Sequence, residues 1–193
     1  MKRLIAALML IPALACAEPQ LREEDWHRVN DLDRALTHAL NQAFSGGSPD
    51  DVAALTDALA GVHDGTLWRE AEGTWSCRTM KLGDTLPLVV YGWFECKIKT
   101  ADGALWFEKV SGSQRVRGKI VPWGGDLILS GVGYIAGDSP PGYADLPPVI
   151  DTRASPQRTA DPARFEMMSP IHARLLFPQP MLESDFDILE LRR

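Results

Sequence analysis

Residues 73–99 decide the fold of this protein and read GTWSCRTMKLGDTLPLVVYGWFECKIK. Short runs rich in Trp, Val, Tyr, Phe and Ile are separated here by Gly, Asp and Pro, which is the pattern of β-strands joined by a turn. We predict strands at 74–81 and 88–99. Apolar side chains lie on both sides of the second run around Gly92, so both of its faces should be at least half covered, as in a long central strand.

Each of these two strands carries one cysteine, Cys77 in the first and Cys96 in the second. If the strands are neighbours in a sheet, a disulfide can join them across the intervening loop. By the chain-entropy argument, closing a loop of this size contributes about 3 kcal/mol. We therefore predict a Cys77–Cys96 disulfide. The alternative is two free thiols or a metal-binding pair, but no further Cys or nearby His completes a ligand set.

The strand pattern continues to the end of the chain. Asp102-Gly103 is a strong hairpin signal, and Gly124-Gly125-Asp126 is a second one. Eight antiparallel strands can form a sandwich or a barrel, and we favour a closed barrel over residues 63–193 because closure removes exposed strand edges. The further strands are expected near 104–110, 115–122, 127–136, 164–168, 172–177 and 186–191.

Two segments do not follow the strand pattern. Apolar residues at 23–44 recur every three or four positions, as in an amphipathic helix, and Ser48 followed by Pro49 should begin a second helix that ends at Gly61. Residues 18–62 are therefore expected to form an α-helical hairpin that precedes the barrel. Residues 138–161 contain five prolines and no sustained apolar period, so we predict a long surface loop.

The first 17 residues have the layout of a secretory signal peptide. Lys2 and Arg3 precede an apolar run of about eleven residues, which is too short to span a bilayer. The small residues that follow predict cleavage after Ala17; cleavage before Cys16 would instead leave a lipoprotein anchored at that cysteine. Both alternatives place the protein in the periplasm, and no other run predicts a transmembrane segment.

The charge of the chain is acidic, with 20 Lys and Arg against 26 Asp and Glu and a formal net charge of −6. Loss of residues 1–17 removes two basic side chains and leaves 18 against 26, a charge of −8. We expect no nucleic-acid partner, because phosphate binding normally needs a basic patch. The remaining chain fits one domain with an appendage, and we expect a monomer.

The candidate binding site is the predicted turn before the strand at 115–122. Ser113, Gln114 and Arg115 bring a hydroxyl, an amide and a guanidinium together there, and we place Lys109 and Arg78 nearby. The planar guanidinium suits a carboxylate or a phosphate. The functional interpretation is an anion or peptide-carboxylate site at one barrel mouth.

A structural interpretation of the same residues also stands. Gln114 and Arg115 can tie down the turn and pair with Glu95 or Glu108. Trp93, which we include among the candidate ligand-binding residues, can line a pocket or fill the core.

No motif indicates catalysis or a resident metal. The four histidines lack H-x-x-x-H and H-x-H spacing, and the G-x-S-x-G motif is absent. We therefore predict no catalytic residue, no metal and no cofactor. A hydrolase in which Lys109 activates Ser111 or Ser113 is kept as the weaker hypothesis.

Several segments resemble the domain of unknown function 4893 family, a family of exported bacterial proteins. The likeness runs from about Trp26 to the C-terminus and implies export and a single domain, but no activity or site residue. The segments that carry it are Gly73–Thr79, Tyr91–Cys96, Glu108-Lys109, Ser111–Arg115, Leu175–Pro180, Glu183-Ser184 and Glu190-Leu191.

A shorter likeness concerns architecture. Gly73-x-Trp75 is similar to the opening of lipocalins, avidins and the bacterial metalloprotease inhibitors of the same barrel type. In those folds an Arg from the last strand packs across the Trp, and Arg174 or Arg192 is expected in that place here. The resemblance implies a calycin-like, eight-stranded antiparallel barrel with room for one small ligand.

These observations lead to two hypotheses about function. The first is a non-enzymatic periplasmic module that binds a small molecule or a peptide. The alternative is an inhibitor or partner-binding protein that acts on an exported protease or an envelope assembly, with the helical segment or the Pro-rich loop as its docking element.

Overall fold

A computed structural model describes residues 20–193 of the protein. The predicted signal peptide, with Cys16 and the cleavage site, lies outside the described residues. The described chain forms nine strands in one antiparallel sheet. They are β1 (Gly73–Leu82), β2 (Leu88–Val90), β3 (Phe94–Ala101), β4 (Ala104–Lys109), β5 (Gln114–Trp123), β6 (Asp126–Ile135), β7 (Arg158–Ser169), β8 (His172–Pro178) and β9 (Phe186–Arg192).

Eight of these strands close into a barrel. From β3 to β9 each strand pairs with the next one in the chain, and β1 joins the two ends by pairing with β3 on one edge and β9 on the other. The short β2 is an additional strand, which pairs with the far end of β1. The predicted eight-stranded antiparallel barrel is therefore confirmed.

The expected long strand at 88–99 is interrupted between β2 and β3. Met80 pairs with Val90 and Cys77 with Phe94, so two residues of β1 lie opposite three residues of the other chain segment. The extra residue acts as a β-bulge, which changes the face on which the following side chains lie. Val90 packs outside the barrel, whereas Phe94 packs against the interior core.

Strand β7 begins at Arg158, inside the segment predicted as a loop at 138–161 and earlier than the strand predicted at 164–168. Pro162 pairs with Ser130 within it. Two residues earlier, Ala160 directs its amide to Met181 Sδ and its carbonyl to Arg28, away from β6. Pro162 lies on the same edge by the two-residue period, so its missing N–H removes no ladder bond to β6.

The barrel interior is a continuous apolar core around the predicted disulfide. Cys77 and Cys96 are bonded, with their Cα atoms 5.9 Å apart, and both are fully buried. The bridge joins neighbouring strands β1 and β3, as predicted. The side chains packed around it include Trp75, Phe107, Phe165, Leu175 and Leu191.

Among the described residues, the segment from 20 to 62 contains three α-helices rather than the predicted two-helix hairpin. They are α1 (Glu23–Asn30), α2 (Leu32–Gly46) and α3 (Pro49–Leu59). The break at Asp31 separates two docking sites, since α1 packs on β7 and α2 on β8 and β1. Ser48 caps α3 by accepting the Asp51 N–H, as predicted.

Helix α3 ends two residues before Gly61, which does have the left-handed conformation predicted for it, with a φ of +94°. The helix stops at Leu59, and the Arg174 guanidinium donates to the Leu59 carbonyl at 2.7 Å and to the Ala58 carbonyl at 3.3 Å. Arg192 donates to the carbonyl of Asp57. Cations at the C-terminal end of a helix satisfy its free carbonyls and its dipole, so these contacts fix the helical layer on the outer face of β8 and β9.

Candidate functional site

The two ends of the barrel interior differ in chemistry. At one end a short 3-10 helix, Leu67–Glu70, precedes β1, and the buried Trp75 donates its indole N–H to the Ala71 carbonyl at 2.9 Å. Arg193 packs across the Trp75 ring at 4.0 Å. Arg193, and not Arg174 or Arg192, takes this place because those two lie on the outer face against α3. This end is closed.

The other half of the interior contains a cavity of about 160 Å³. Its apolar wall includes Phe94, Val116, Phe177 and Leu189. Four of the six predicted ligand-binding residues line it together: Lys109, Ser113, Gln114 and Arg115. The polar lining residues that the sequence reasoning did not assign to the site are Arg28, Thr79, Lys81, Tyr91, Tyr134, Gln157, Thr159, Asp161 and Asp187.

The other two predicted site residues lie outside the barrel. Arg78 points to the outer face, where it pairs with the buried Glu190 at 2.6 Å and covers the Trp93 ring at 4.7 Å. Inward and outward side chains alternate along β1, and Cys77 and Thr79 are inward. The structure therefore separates Arg78 and Trp93 from the other four.

Lys109 is a buried cation on the cavity wall. It is 6 % exposed, its ammonium donates to the Gln114 backbone carbonyl at 2.7 Å, and it lies 4.2 Å from the centre of the Phe94 ring. Within residues 20–193, no carboxylate lies within ion-pair distance of it. Burial, together with the charges of Arg115 and Lys81, lowers the pKa of Lys109 to about 8.

Lys81 is the second cavity lysine, and it has partners. Its ammonium pairs with Glu183 at 2.5 Å and donates to Gln114 Oε1 at 3.2 Å. Burial lowers the pKa of Lys81, but the bond to Glu183 and the charges of Asp187 and Glu183 outweigh burial and raise it. Lys81 therefore keeps its charge to a higher pH than Lys109 does.

Two acids stand inside the barrel near Lys81. Burial raises the pKa of Asp161, although a bond from Thr159 opposes the shift. Burial also raises the pKa of Asp187 to about 7, although Ser184 donates to its carboxyl at 2.6 Å. Asp187 is thus a group that can carry or release a proton near neutral pH.

A glycine creates the space for one of these acids. A Cβ atom at Gly133 would overlap the Thr159 hydroxyl and the Asp161 carboxyl. Gly133 pairs directly with Thr159 across β6 and β7. The missing side chain leaves room for two polar groups on the cavity wall.

The predicted site residues at the mouth of the cavity differ in what they contact. Arg115 donates to the Gly112 carbonyl at 3.1 Å and so ties down the turn, as the structural interpretation expects. It pairs with neither Glu95 nor Glu108 in the described structure; Glu108 accepts from the Tyr134 hydroxyl. Ser113 and Gln114 are exposed at the mouth.

Helix α1 also reaches the cavity, through Arg28. Its Nη1 donates to Asp25 and to the Ala160 carbonyl, both at 2.8 Å, while its buried Nη2 has no partner among the described residues. Helix α1 therefore contributes a donor to the cavity lining, which the sequence did not predict.

Alternation along the strands was the signal that could have identified the acids. Asp187 lies two positions from Leu189 and four from Leu191, both on the interior face, so period two places its carboxyl inside. Asp161 has the same relation to Ala163 and Phe165. Its placement in a predicted loop concealed that pattern.

The arrangement can hold an anion or a hydrogen-bonding ligand beside an apolar wall. In the described part of the chain, no three His, Cys, Asp or Glu side chains come close enough to hold a metal ion. None of its helices has both the length and the apolar character needed to cross a bilayer.

Comparison with known proteins identifies a family. A search of curated proteins found no similar sequence. Residues 18–191 match a family described as domain of unknown function (DUF4893). Because the match covers nearly the whole chain, the protein belongs to the DUF4893 family.

Proposed function

We propose that the protein is a periplasmic, non-enzymatic binding module whose barrel cavity holds one small organic anion. The observation that carries this proposal is the buried Lys109 ammonium on the cavity wall, with no carboxylate partner among the described residues. A buried, unpaired charge costs several kcal/mol. A ligand carboxylate would supply the missing countercharge.

The volume of the cavity restricts the ligand. A cavity of about 150 Å³ accommodates benzene, and the cavity beside Lys109 has about 160 Å³. A ligand with one ring or a short branched chain fits, while a folded peptide segment does not. This favours a small molecule over a peptide carboxylate.

The polar groups around the cavity suit such a ligand. Asp187 and Asp161 have raised pKa values, and a protonated carboxyl group donates a hydrogen bond instead of repelling an anion. Arg28 adds a buried donor without a partner in the described residues. The phenyl rings of Phe94 and Phe177 would contact the apolar part of the ligand.

Calycin-like architecture belongs to the same proposal. It is supported by the Gly73-x-Trp75 opening of β1, by Arg193 across the Trp75 ring and by the 3-10 helix that precedes the strand. A barrel that is covered at the Trp75 end and polar at the other end would admit a ligand at the polar end, through the mouth formed by residues 113–115 and 180–182.

The direct test is calorimetric titration with benzoate. We expect benzoate to bind, and Lys109→Met to weaken binding at least tenfold, because the ammonium provides the countercharge. Arg34→Met, which removes an exposed cation remote from the cavity, is the matched control and should bind benzoate as the wild type does. Benzamide, which lacks the charge, and decanoate, which exceeds the cavity, should bind much more weakly.

Two results would contradict the proposal. One is equal binding of benzoate by the wild type and Lys109→Met. The other is tight binding of decanoate, which would require an opening larger than the described cavity.

We also propose that the protein is exported, and the intact mass of the recovered protein tests this. We expect the full sequence, expressed in a Gram-negative host, to yield a periplasmic protein that begins at Glu18 by intact mass. A mass that includes lipid on Cys16 would support the anchored alternative instead, and recovery of the uncleaved chain from the cytoplasm would exclude both.

A further inference from the structure

The outer face of β3 to β6 carries a second concave surface, separate from the barrel cavity. It is a groove of about 570 Å³ whose floor is the sheet and whose side is the loop at residues 141–144. Pockets of about 300–1,000 Å³ hold drug-sized ligands. We call this surface the outer groove.

The loop that borders the outer groove is held in place. The Tyr143 hydroxyl donates to the buried Asp25 of α1, and Arg117 Nη2 donates to the Pro140 carbonyl at 2.5 Å. Leu146 and Val132 pack together in a small apolar cluster beneath the same loop. The groove is therefore a built feature of the fold.

The floor of the outer groove has two cross-strand rows. In the first, Lys99, Trp106 and Lys119 lie directly opposite one another on β3, β4 and β5. Directly opposed side chains are about 5 Å apart at Cβ, so the Cβ atoms of the two lysines lie about 10 Å apart with the indole between them. Trp106 is 44 % exposed.

The second row adds one cation without a carboxylate partner in the described residues, Arg117, whose guanidinium also donates to the Pro140 carbonyl. Arg117 lies opposite Glu108, which accepts from Tyr134 and in turn lies opposite Lys97. Lys97 is paired with Glu95 at 3.0 Å. Within residues 20–193, no carboxylate lies within ion-pair distance of Lys99, Arg117 or Lys119. These cations stand on a chain whose formal net charge is −6.

We propose that the outer groove binds a short acidic oligosaccharide, with one sugar ring stacked on Trp106 and carboxylates held by Lys99 and Lys119. The C–H face of a pyranose ring is apolar and flat, which suits an exposed indole, and the flanking cations match acidic groups on the neighbouring rings. This site is independent of the barrel cavity.

Other anionic partners fit the surface less well. A flat bilayer cannot reach the floor of a groove that the 141–144 loop borders. A long nucleic acid would be repelled by the acidic remainder of the chain, and three free cations neutralise few of its phosphates. A short acidic glycan avoids both difficulties.

The test is calorimetric titration of the full protein with trigalacturonate, a uronic-acid trisaccharide. We expect binding that weakens with salt, and at least tenfold weaker binding of maltotriose, which has similar rings without the carboxylates. Trp106→Ala and the double variant Lys99→Ala/Lys119→Ala should each weaken trigalacturonate binding at least tenfold. All three side chains lie on the barrel surface, so these variants should fold.

The controls separate this site from other surfaces. Trp93→Ala removes another exposed Trp, and Arg34→Ala removes another exposed cation; both should bind trigalacturonate as the wild type does. Lys109→Met should leave it unchanged too, so failure of the cavity proposal and of this one are distinguishable.

Three outcomes would overturn the inference. The first is trigalacturonate binding that is absent or unaffected by Trp106→Ala. The second is equal or tighter binding of a thymidine hexanucleotide, which would indicate a nucleic-acid surface. The third is binding to anionic phospholipid vesicles that depends on Lys99 and Lys119 in the absence of trigalacturonate binding.

Discussion

Burial raises the pKa values of Asp187 and Asp161, because the barrel interior penalises the charged carboxylate. For Asp187 the pKa rises to about 7, and the nearby Lys81 opposes the shift while Glu183 and Asp161 add to it. The folded state therefore binds the Asp187 proton more tightly than the unfolded chain does.

The sign of the pH dependence follows from this difference. Below about pH 4, where an unfolded Asp is also protonated, the contribution of Asp187 to stability is fully present. It is lost as the pH rises through the folded-state pKa of about 7. Above that pH the fold carries the cost of a buried carboxylate.

Asp187→Asn should remove this cost. We expect the variant to exceed the wild type by about 1–3 kcal/mol in the free energy of unfolding at pH 8, with little difference at pH 4. Urea denaturation at several pH values measures it. Asp185→Asn, at the solvent-accessible position two residues away, is the control and should leave the pH profile unchanged. A variant less stable than the wild type at pH 8 would show that the carboxylate is stabilised by its surroundings.

At the scale of elements, the helical layer depends on arginines from the barrel. Arg174 is 9 % exposed; its Nη2 pairs with Glu166 at 2.6 Å and its Nη1 reaches the last carbonyls of α3. Arg192 makes a similar contact to α3 from a more exposed position. The stability of α3 is thus coupled to strands β8 and β9.

Arg174→Met should lower the free energy of unfolding by about 3 kcal/mol, because it leaves Glu166 buried with one partner fewer and the α3 carbonyls without a donor. Amide hydrogen exchange should accelerate in α3. Arg192→Met is the matched variant, with an expected loss of about 1 kcal/mol, since Arg78 still pairs with Glu190. Equal losses in the two variants would argue against a special role for the buried guanidinium.

At the scale of the whole molecule, the barrel has an apolar core inside and a second apolar layer outside. The outer layer joins the helices to β1, β8 and β9 through side chains such as Leu55, Met80, Leu176 and Ile188. The disulfide lies in the inner core, where it ties β1 to β3 next to the closure of the barrel.

Removal of the disulfide should weaken the whole barrel. The cysteines are separated by 19 positions, and we expect Cys77→Ala/Cys96→Ala to lose about 3 kcal/mol in the free energy of unfolding. Urea denaturation of the variant and of the wild type with and without reductant measures the loss. Reductant should lower the free energy of unfolding of the wild type and leave that of the variant unchanged. An unfolding curve of the wild type that is the same with and without reductant would contradict the disulfide.

The sequence by itself determined the strand order, the barrel and the Cys77–Cys96 bridge, because turn residues and a period of two are local signals and sequential antiparallel strands pair with their neighbours. It also placed Lys109 and residues 113–115 at one mouth. Alternation with Cys77 and with Leu189 already indicates that Arg78 faces outward and Asp187 inward. Only the tertiary structure decided that Trp93 faces outward, that β7 begins early enough to include Asp161, and that α1 sends Arg28 into the cavity. A one-residue bulge changes the face of every later side chain in its strand, and both the bulge and the docking of a helix depend on packing between segments distant in the chain.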